Sequence, residues 1–83
     1  MSLFNRGEVY TIITDSETNF WVQKLAEGLC MEHTVIDVMS TGDHITISFR
    51  SKISRRRMNT ILSMYRRNYN VQMGEYLTLI TKK

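Results

Sequence analysis

The sequence predicts an α+β fold in which strands and helices follow one another as β-α-β-β-α-β. Two stretches near the ends of the chain, residues 8–14 and 75–81, are rich in β-branched and aromatic residues, a composition typical of strands. Two longer stretches carry apolar residues at helical spacing. A Thr-Gly-Asp turn signal at 41–43 separates two further alternating stretches in the middle of the chain.

The first strand, Glu-Val-Tyr-Thr-Ile-Ile-Thr at 8–14, leads directly into the first predicted helix. Thr14 and Glu17 have the spacing of a capping box, which satisfies free N–H groups where a helix begins. The helix should run for about four turns and end between Met31 and His33. Its apolar stripe consists of Val22, Leu25, Ala26 and Leu29.

The second and third strands are predicted at 33–40 and 44–50, on either side of the turn. The third strand alternates cleanly, so its side chains should point to opposite faces of a sheet. One face would carry Ile45, Ile47 and Phe49, and the other His44, Thr46, Ser48 and Arg50.

A second helix is predicted within residues 51–70, Ser-Lys-Ile-Ser-Arg-Arg-Arg-Met-Asn-Thr-Ile-Leu-Ser-Met-Tyr-Arg-Arg-Asn-Tyr-Asn. At 100° per residue, its apolar side chains form a single stripe. The stripe comprises Met58, Ile61, Leu62, Tyr65 and Tyr69. Gly74 interrupts the chain before the last strand at 75–81.

This element order is typical of a ferredoxin-like βαββαβ fold, a four-stranded antiparallel sheet with both helices on one face. Residues 1–83 are long enough for a single domain. The alternative is a thioredoxin-like fold, but the chain has no cysteine near residues 16–19 and no proline. We therefore expect the ferredoxin-like arrangement.

Composition excludes several classes of protein. The first ten residues lack the apolar run of a signal peptide, and no stretch approaches the roughly 20 apolar residues of a membrane span. Cys30, the single cysteine, has no partner for an internal disulfide. These features predict a protein of the reducing cytoplasm, or alternatively of the nucleus, that does not interact with membranes.

The charge is distributed unevenly along the chain. Residues 1–49 contain two basic and seven acidic residues, a net charge of −5, whereas residues 50–83 contain nine basic residues and one acidic residue, a net charge of +8. Such asymmetry indicates an oriented electrostatic field and a negatively charged partner.

The arginines of the second helix are the strongest functional signal. Arg55, Arg56 and Arg57 lie near its beginning, where the helix dipole disfavours positive charge, and no glutamate lies four residues away to offset them. Arginine binds phosphate bidentately, so RNA or single-stranded nucleic acid is the expected partner and an acidic protein surface the alternative. The expected contacts also include Arg50, Lys52, Arg66 and Arg67.

The element order resembles that of RNA-recognition (RRM-like) modules over nearly the whole chain. In that family, aromatic residues on the open sheet face stack against bases. Tyr10 matches the aromatic position of the first strand, and Tyr76 could add a ring from the last strand. The third strand departs from the pattern, with His44 and Thr46 where aromatic residues are expected. The resemblance implies base stacking by Tyr10 and His44.

No motif predicts catalysis. Cys30, His33 and His44 do not amount to the four ligands of a structural zinc site. Asp15 follows the first strand, where Cas2-type nucleases keep a metal-binding aspartate, but helix capping is the favoured explanation of an acidic residue there. We therefore expect a non-catalytic protein without a metal or cofactor.

Two further expectations complete the interpretation. A strand order of 4-1-3-2 would bring most basic residues to one edge of the sheet: Arg6, Arg50, Lys52, Arg55, Arg56, Arg57, Lys82 and Lys83. Arg66 and Arg67 would lie roughly 15 Å further along the helix. The alternative function is a protein-interaction module, such as a small phage-type inhibitor of a host enzyme that handles nucleic acid.

Overall fold

The computed structural model describes residues 7–29 and 37–83. The predicted end of the first helix, the beginning of the second strand, and the expectations for Arg6, Cys30 and His33 lie outside these residues. The described chain combines strands with two helices, so the predicted α+β class is confirmed.

The described elements follow the predicted order up to the second helix and then depart from it. They are β1 (Glu8–Asp15), α1 (Asn19–Leu29), β2 (Asp37–Thr41), β3 (His44–Ser51), α2 (Arg55–Ser63), a 3₁₀ helix (Met64–Arg67), β4 (Tyr69–Met73) and β5 (Leu77–Lys82). The second helix is therefore shorter than expected, and a strand that the sequence did not predict follows it.

The sheet has five strands in the order β2-β3-β1-β5-β4. Neighbouring strands are antiparallel except β1 and β5, which are parallel. The prediction of a four-stranded antiparallel sheet is therefore wrong, and the ferredoxin-like arrangement is not confirmed. The physical cause is the hairpin between β4 and β5, which reverses the direction of the last strand.

The extra strand arises from an ambiguity in apolar spacing. Tyr69 fits the helical stripe that begins at Met58, but Tyr69, Val71 and Met73 also alternate in the manner of a strand. In the structure these three side chains pack against the core from β4. Pairing of Tyr69–Met73 with β5 supplies the backbone hydrogen bonds, so the strand alternative prevails over helix continuation.

One apolar core lies between the sheet and both helices. Val22, Ala26 and Leu29 of α1 and Met58 and Leu62 of α2 are buried in it. The strands contribute the remaining buried apolar residues: Tyr10, Ile12, Ile47, Phe49 and Ile80. Both helices consequently pack on the same face of the sheet, which we call the helix face. Neither helix covers the opposite face, which we call the open face.

The helix beginnings are capped by side chains. The Asp15 carboxylate accepts a hydrogen bond from the Thr18 backbone N–H at 2.8 Å, just before α1. Thr14 is instead a fully buried strand residue, so the predicted capping box between Thr14 and Glu17 is wrong. In α2, the Ser54 hydroxyl accepts a hydrogen bond from the Arg57 backbone N–H.

Two of the described glycines have positive φ. Gly42, at +59°, forms the turn between β2 and β3, as the sequence signal predicted. Gly7, at +82°, precedes β1 and lies so close to the Ser51 carbonyl that any Cβ would overlap it. Gly7 therefore permits close contact between the beginning of β1 and the end of β3.

Candidate nucleic-acid interface

The described basic residues of the second half of the chain form two clusters, at opposite ends of α2 and the 3₁₀ helix. We call Arg50, Lys52, Arg55, Arg56 and Arg57 the proximal cluster, and Arg66, Arg67, Lys82 and Lys83 the distal cluster. The α2 and 3₁₀ segments together span about 20 Å.

The predicted convergence of Lys82 and Lys83 with Arg50 and the arginines at the beginning of α2, at one edge of the sheet, is wrong. Arg50 pairs with Val9 at the beginning of β1, whereas the Lys82 backbone N–H donates to the Asp15 carboxylate at the end of β1. Because β5 is parallel to β1, its C-terminal lysines lie at the opposite end of the sheet from Arg50.

Within the proximal cluster, Arg55 already has partners in the protein. Its guanidinium forms a 3.0 Å ion pair with Glu75 and lies 5.8 Å from the centre of the Tyr76 ring. Glu75 is the single acidic residue of residues 50–83. This contact joins the beginning of α2 to the turn before β5, and no local sequence spacing could have predicted it.

Arg56 and Arg57 are exposed on the outward side of α2. In residues 7–29 and 37–83, neither guanidinium forms an ion pair with an acidic side chain. Arg57 also lines an open groove of about 440 Å³. Lys52, Ile53, Ser54 and Ile61 also line it, so the groove combines an apolar surface with cationic groups.

The distal cluster is assembled partly by hydrogen bonds to the backbone. The Lys83 ammonium donates to the carbonyl groups of Arg66 and Arg67, at 3.4 and 3.3 Å. This places a third cation beside two exposed arginines at the end of the 3₁₀ helix. For the part of the chain that is described, the side chains of Arg66 and Arg67 have no acidic partner.

Lys82 differs from the other distal cations because it is paired. Its ammonium lies 2.8 Å from the Glu17 carboxylate, and this hydrogen bond, with the attraction of the same carboxylate, raises the pKa of Lys82. Both side chains are largely exposed, so the pair contributes little to stability. Lys82 is thus less available to an external anion than Arg66 or Arg67.

Arg50 lies on the open face, apart from the arginines of α2. Its guanidinium donates to the Gly7 carbonyl at 3.2 Å. Within the proximal cluster, Arg50 and Arg55 are therefore anchored to other parts of the chain. Arg56 and Arg57 are exposed and have no ion pair within residues 7–29 and 37–83.

Tyr10 is not a stacking residue on the open face. Its side chain is buried on the helix face, where its hydroxyl donates to the Ile53 carbonyl at 2.6 Å. Burial is the main cause that raises the pKa of Tyr10. Tyr76 also contacts Tyr10, with ring centres 5.6 Å apart, so neither ring provides the open-face platform that the RRM-like resemblance implied.

His44 is exposed at the end of the sheet, opposite Asp15 in the β1–β3 pair. It lines a shallow cavity of about 390 Å³ on the open face, with Ile13, Thr41, Thr46 and Leu79. Among the described residues, no three His, Cys, Asp or Glu side chains come close enough to hold a metal ion.

A cluster of three aromatic residues near the distal cluster was missed by the sequence interpretation. The Trp21 ring stacks on Tyr69 with centres 4.7 Å apart and meets the edge of Tyr65 at 4.5 Å. All three are half-buried and connect α1 to the 3₁₀ helix and β4. The available signal was the single tryptophan beside the predicted apolar stripe.

The structure therefore defines an α+β protein in which Arg56, Arg57, Arg66 and Arg67 are exposed along one helical segment. No described helix has the length and apolar character to cross a membrane. No protein-family model matches the chain, and no curated protein or solved structure matches it either. Functional inference consequently rests on the contacts and charges described above.

Proposed function

We propose that the protein is a non-catalytic module that binds RNA or another single-stranded nucleic acid through the phosphate backbone. One observation carries the proposal: four exposed arginines on α2 and the 3₁₀ helix lack acidic partners in the described regions. They are Arg56, Arg57, Arg66 and Arg67. A segment of about 20 Å with cations at both ends suits a polyanion better than a small anion.

The choice of arginine supports phosphate as the ligand. Guanidinium groups form paired hydrogen bonds with phosphate oxygens, whereas the lysine ammonium acts as a point charge. The first turn of α2 contains three arginines and no acidic residue, although acidic residues would stabilise that end of the helix. Placing cations there has a structural cost, which binding of an anion would offset.

The mode of binding follows from where the aromatic side chains lie. Tyr10 is buried, and Tyr76 and Trp21 contact other aromatic rings. The proposed binding therefore depends on the charge of the phosphate backbone and not on base stacking. We expect affinity to vary little among unrelated sequences and to fall steeply with salt.

The test is fluorescence anisotropy with a labelled single-stranded RNA, measured across a range of salt concentrations. Four phosphate contacts imply a log–log salt slope of about −3 for a single strand. Replacement of Arg56, Arg57, Arg66 and Arg67 with glutamine should abolish most binding, because all four charged contacts are lost. The fold should remain intact, since these side chains are exposed.

Two double variants locate the site, and one variant on α1 is the control. R56Q/R57Q and R66Q/R67Q should each make the log–log salt slope less steep by about 1.4, because each removes two phosphate contacts. Lys24→Glu changes the net charge by the same two units on exposed α1 and should weaken binding much less. Equal losses in all three variants would mean that net charge alone matters and would contradict a localised site.

Comparison of ligands separates the proposal from its alternative. Similar binding of single-stranded RNA and DNA would support a grip on the backbone. Failure to bind any nucleic acid at low salt would overturn the proposal and favour an acidic protein surface as the partner of the same arginines.

A further inference from the structure

The open face of the sheet is an exposed apolar surface that the proposed nucleic-acid interface does not use. Val9, Met39 and Leu77 are 46%, 66% and 49% exposed, and Ile13 and Leu79 are half-buried beside them. Strand alternation places all five on the same side, because Ile12, Ile47 and Ile80 on the other side are completely buried. Contiguous apolar patches of this kind mark interaction surfaces.

Among residues 7–29 and 37–83, no charged side chain lies at the centre of the open face. Between the apolar residues lie hydroxyl groups, including Thr11 and Ser48, whose oxygens are 3.2 Å apart, and Thr46. The described charged residues on this face are at strand ends: Asp15, Asp37 and Arg50. A surface without central cations does not suit a nucleic acid. We therefore exclude nucleic acid, the proposed ligand of the arginines, as the molecule that binds the open face.

We propose that the open face binds the open face of a second copy of this chain, forming a symmetric dimer. In such an interface the same patch serves both partners, and a neutral patch of aliphatic and hydroxyl side chains can pack against itself. The arginines of α2 do not oppose this contact, because they lie beyond the helix face, and each copy would keep them on an outer surface. Arg50 lies on the open face itself, but near the end of β3, where its guanidinium donates to the Gly7 carbonyl.

The size of the face suits a weak dimer. Five strands about 4.8 Å apart and about 20 Å long present roughly 500 Å² per copy. A dimer would then bury about 1,000 Å² in total, close to the lower limit for a specific interface. Sheets that pack face to face interdigitate their side chains. Val9, Thr11 and Ile13 form a row of side chains on the open face that can interdigitate with the same row of the second copy. We expect the dimer to have a dissociation constant in the micromolar range.

The experiment is sedimentation equilibrium without nucleic acid, at protein concentrations from about 1 to about 300 µM, a range that brackets a weak interface. The wild type should shift from 9.8 kDa towards twice that mass as concentration rises. L77K and V9K should each remain monomeric over this range, because each would bury an unpaired charge in the dimer.

Met64→Lys is the matched control, since Met64 is an exposed methionine, 74% accessible, in the helical layer. It introduces the same charge outside the open face and should dimerise like the wild type. Circular dichroism checks that each variant is folded. If one of the two open-face variants does not fold, the other still tests the proposal. A wild type that is monomeric throughout would overturn the proposal. Dimerisation that persists in both folded open-face variants would equally overturn it, because another surface would then be responsible.

Discussion

Asp15 joins the beginning of α1 to the end of β5. One carboxylate oxygen accepts the Thr18 backbone N–H at 2.8 Å, and the other accepts the Lys82 backbone N–H at 2.6 Å. Burial alone would raise the pKa of Asp15, but these hydrogen bonds, with others from Thr18 and Glu17, lower it below 3.8 overall. The residue that could have been a metal ligand thus has a structural role in the folded chain.

Replacement of Asp15 with asparagine should lower the free energy of unfolding at pH 7 by about 1 kcal/mol. The asparagine oxygen can still accept from Thr18, but its NH₂ group cannot accept from Lys82. Because the folded-state pKa is below the unfolded one, the wild type should keep this stabilisation above about pH 5 and lose it as pH falls through the folded-state pKa.

Urea unfolding at several pH values measures this effect. The difference between wild type and Asp15→Asn should shrink as the solution is acidified. Asp37→Asn, on the exposed edge strand β2, is the control for loss of one carboxylate and should leave the stability at pH 7 nearly unchanged. A difference between wild type and Asp15→Asn that is constant from pH 7 to pH 2 would contradict this role.

At the scale of elements, α2 combines a buried stripe with an exposed row of arginines. Met58 and Leu62 are inaccessible to solvent, and Arg56 and Arg57 point away from them. The Ser54 cap and the Glu75 ion pair compensate for the absence of acidic residues in the first turn. Packing against the sheet therefore holds the arginines in place despite an unfavourable helix dipole.

Truncation of Leu62 to alanine should destabilise the protein by about 2–4 kcal/mol, because it leaves a cavity in the core between α2 and the sheet. Met64→Ala, at a 74% exposed position two residues further along, should cost less than about 0.5 kcal/mol. Thermal or urea unfolding compares the two. Equal effects would show that the stripe does not pack as described.

At the scale of the whole molecule, the charge asymmetry of the sequence becomes an arrangement of two clusters along one segment. Ion pairs with Glu75 and Glu17 occupy Arg55 and Lys82, one cation from each cluster. Arg56, Arg57, Arg66 and Arg67 define the proposed interface. We therefore expect Glu75 and Glu17 to lower the affinity of the proposed site for nucleic acid.

Glu75→Gln should strengthen nucleic-acid binding, because it releases Arg55 and removes a negative charge beside the proximal cluster. We expect a two- to fivefold gain in affinity, roughly, at about 0.1 M salt, with a steeper salt slope. Stability should change by less than about 1 kcal/mol, since the pair is exposed. Anisotropy titrations measure the gain, and Glu27→Gln on exposed α1 is the matched control. Unchanged or weaker binding would exclude Arg55 and Glu75 from the interface.

Local patterns were sufficient to predict much of the architecture. The strands at residues 8–15 and 44–51, the Gly42 turn and the buried positions of both helices follow from alternation, helical spacing and turn chemistry, which act over a few residues. The exposed positions of Arg56 and Arg57 follow from the same helical spacing, because Met58 and Leu62 define the buried side of α2.

Tertiary structure alone decided the sheet order and hence the shape of the candidate site. Tyr69–Met73 satisfies both a helical and a strand pattern, and only pairing with β5 selects the strand. That choice reverses β5, moves Lys82 and Lys83 to the distal end, and separates them from Arg50. The sequence determined by itself which residues are basic and which helix positions are buried. Long-range backbone pairing determined which basic residues lie together, because strand direction depends on partners distant in the chain.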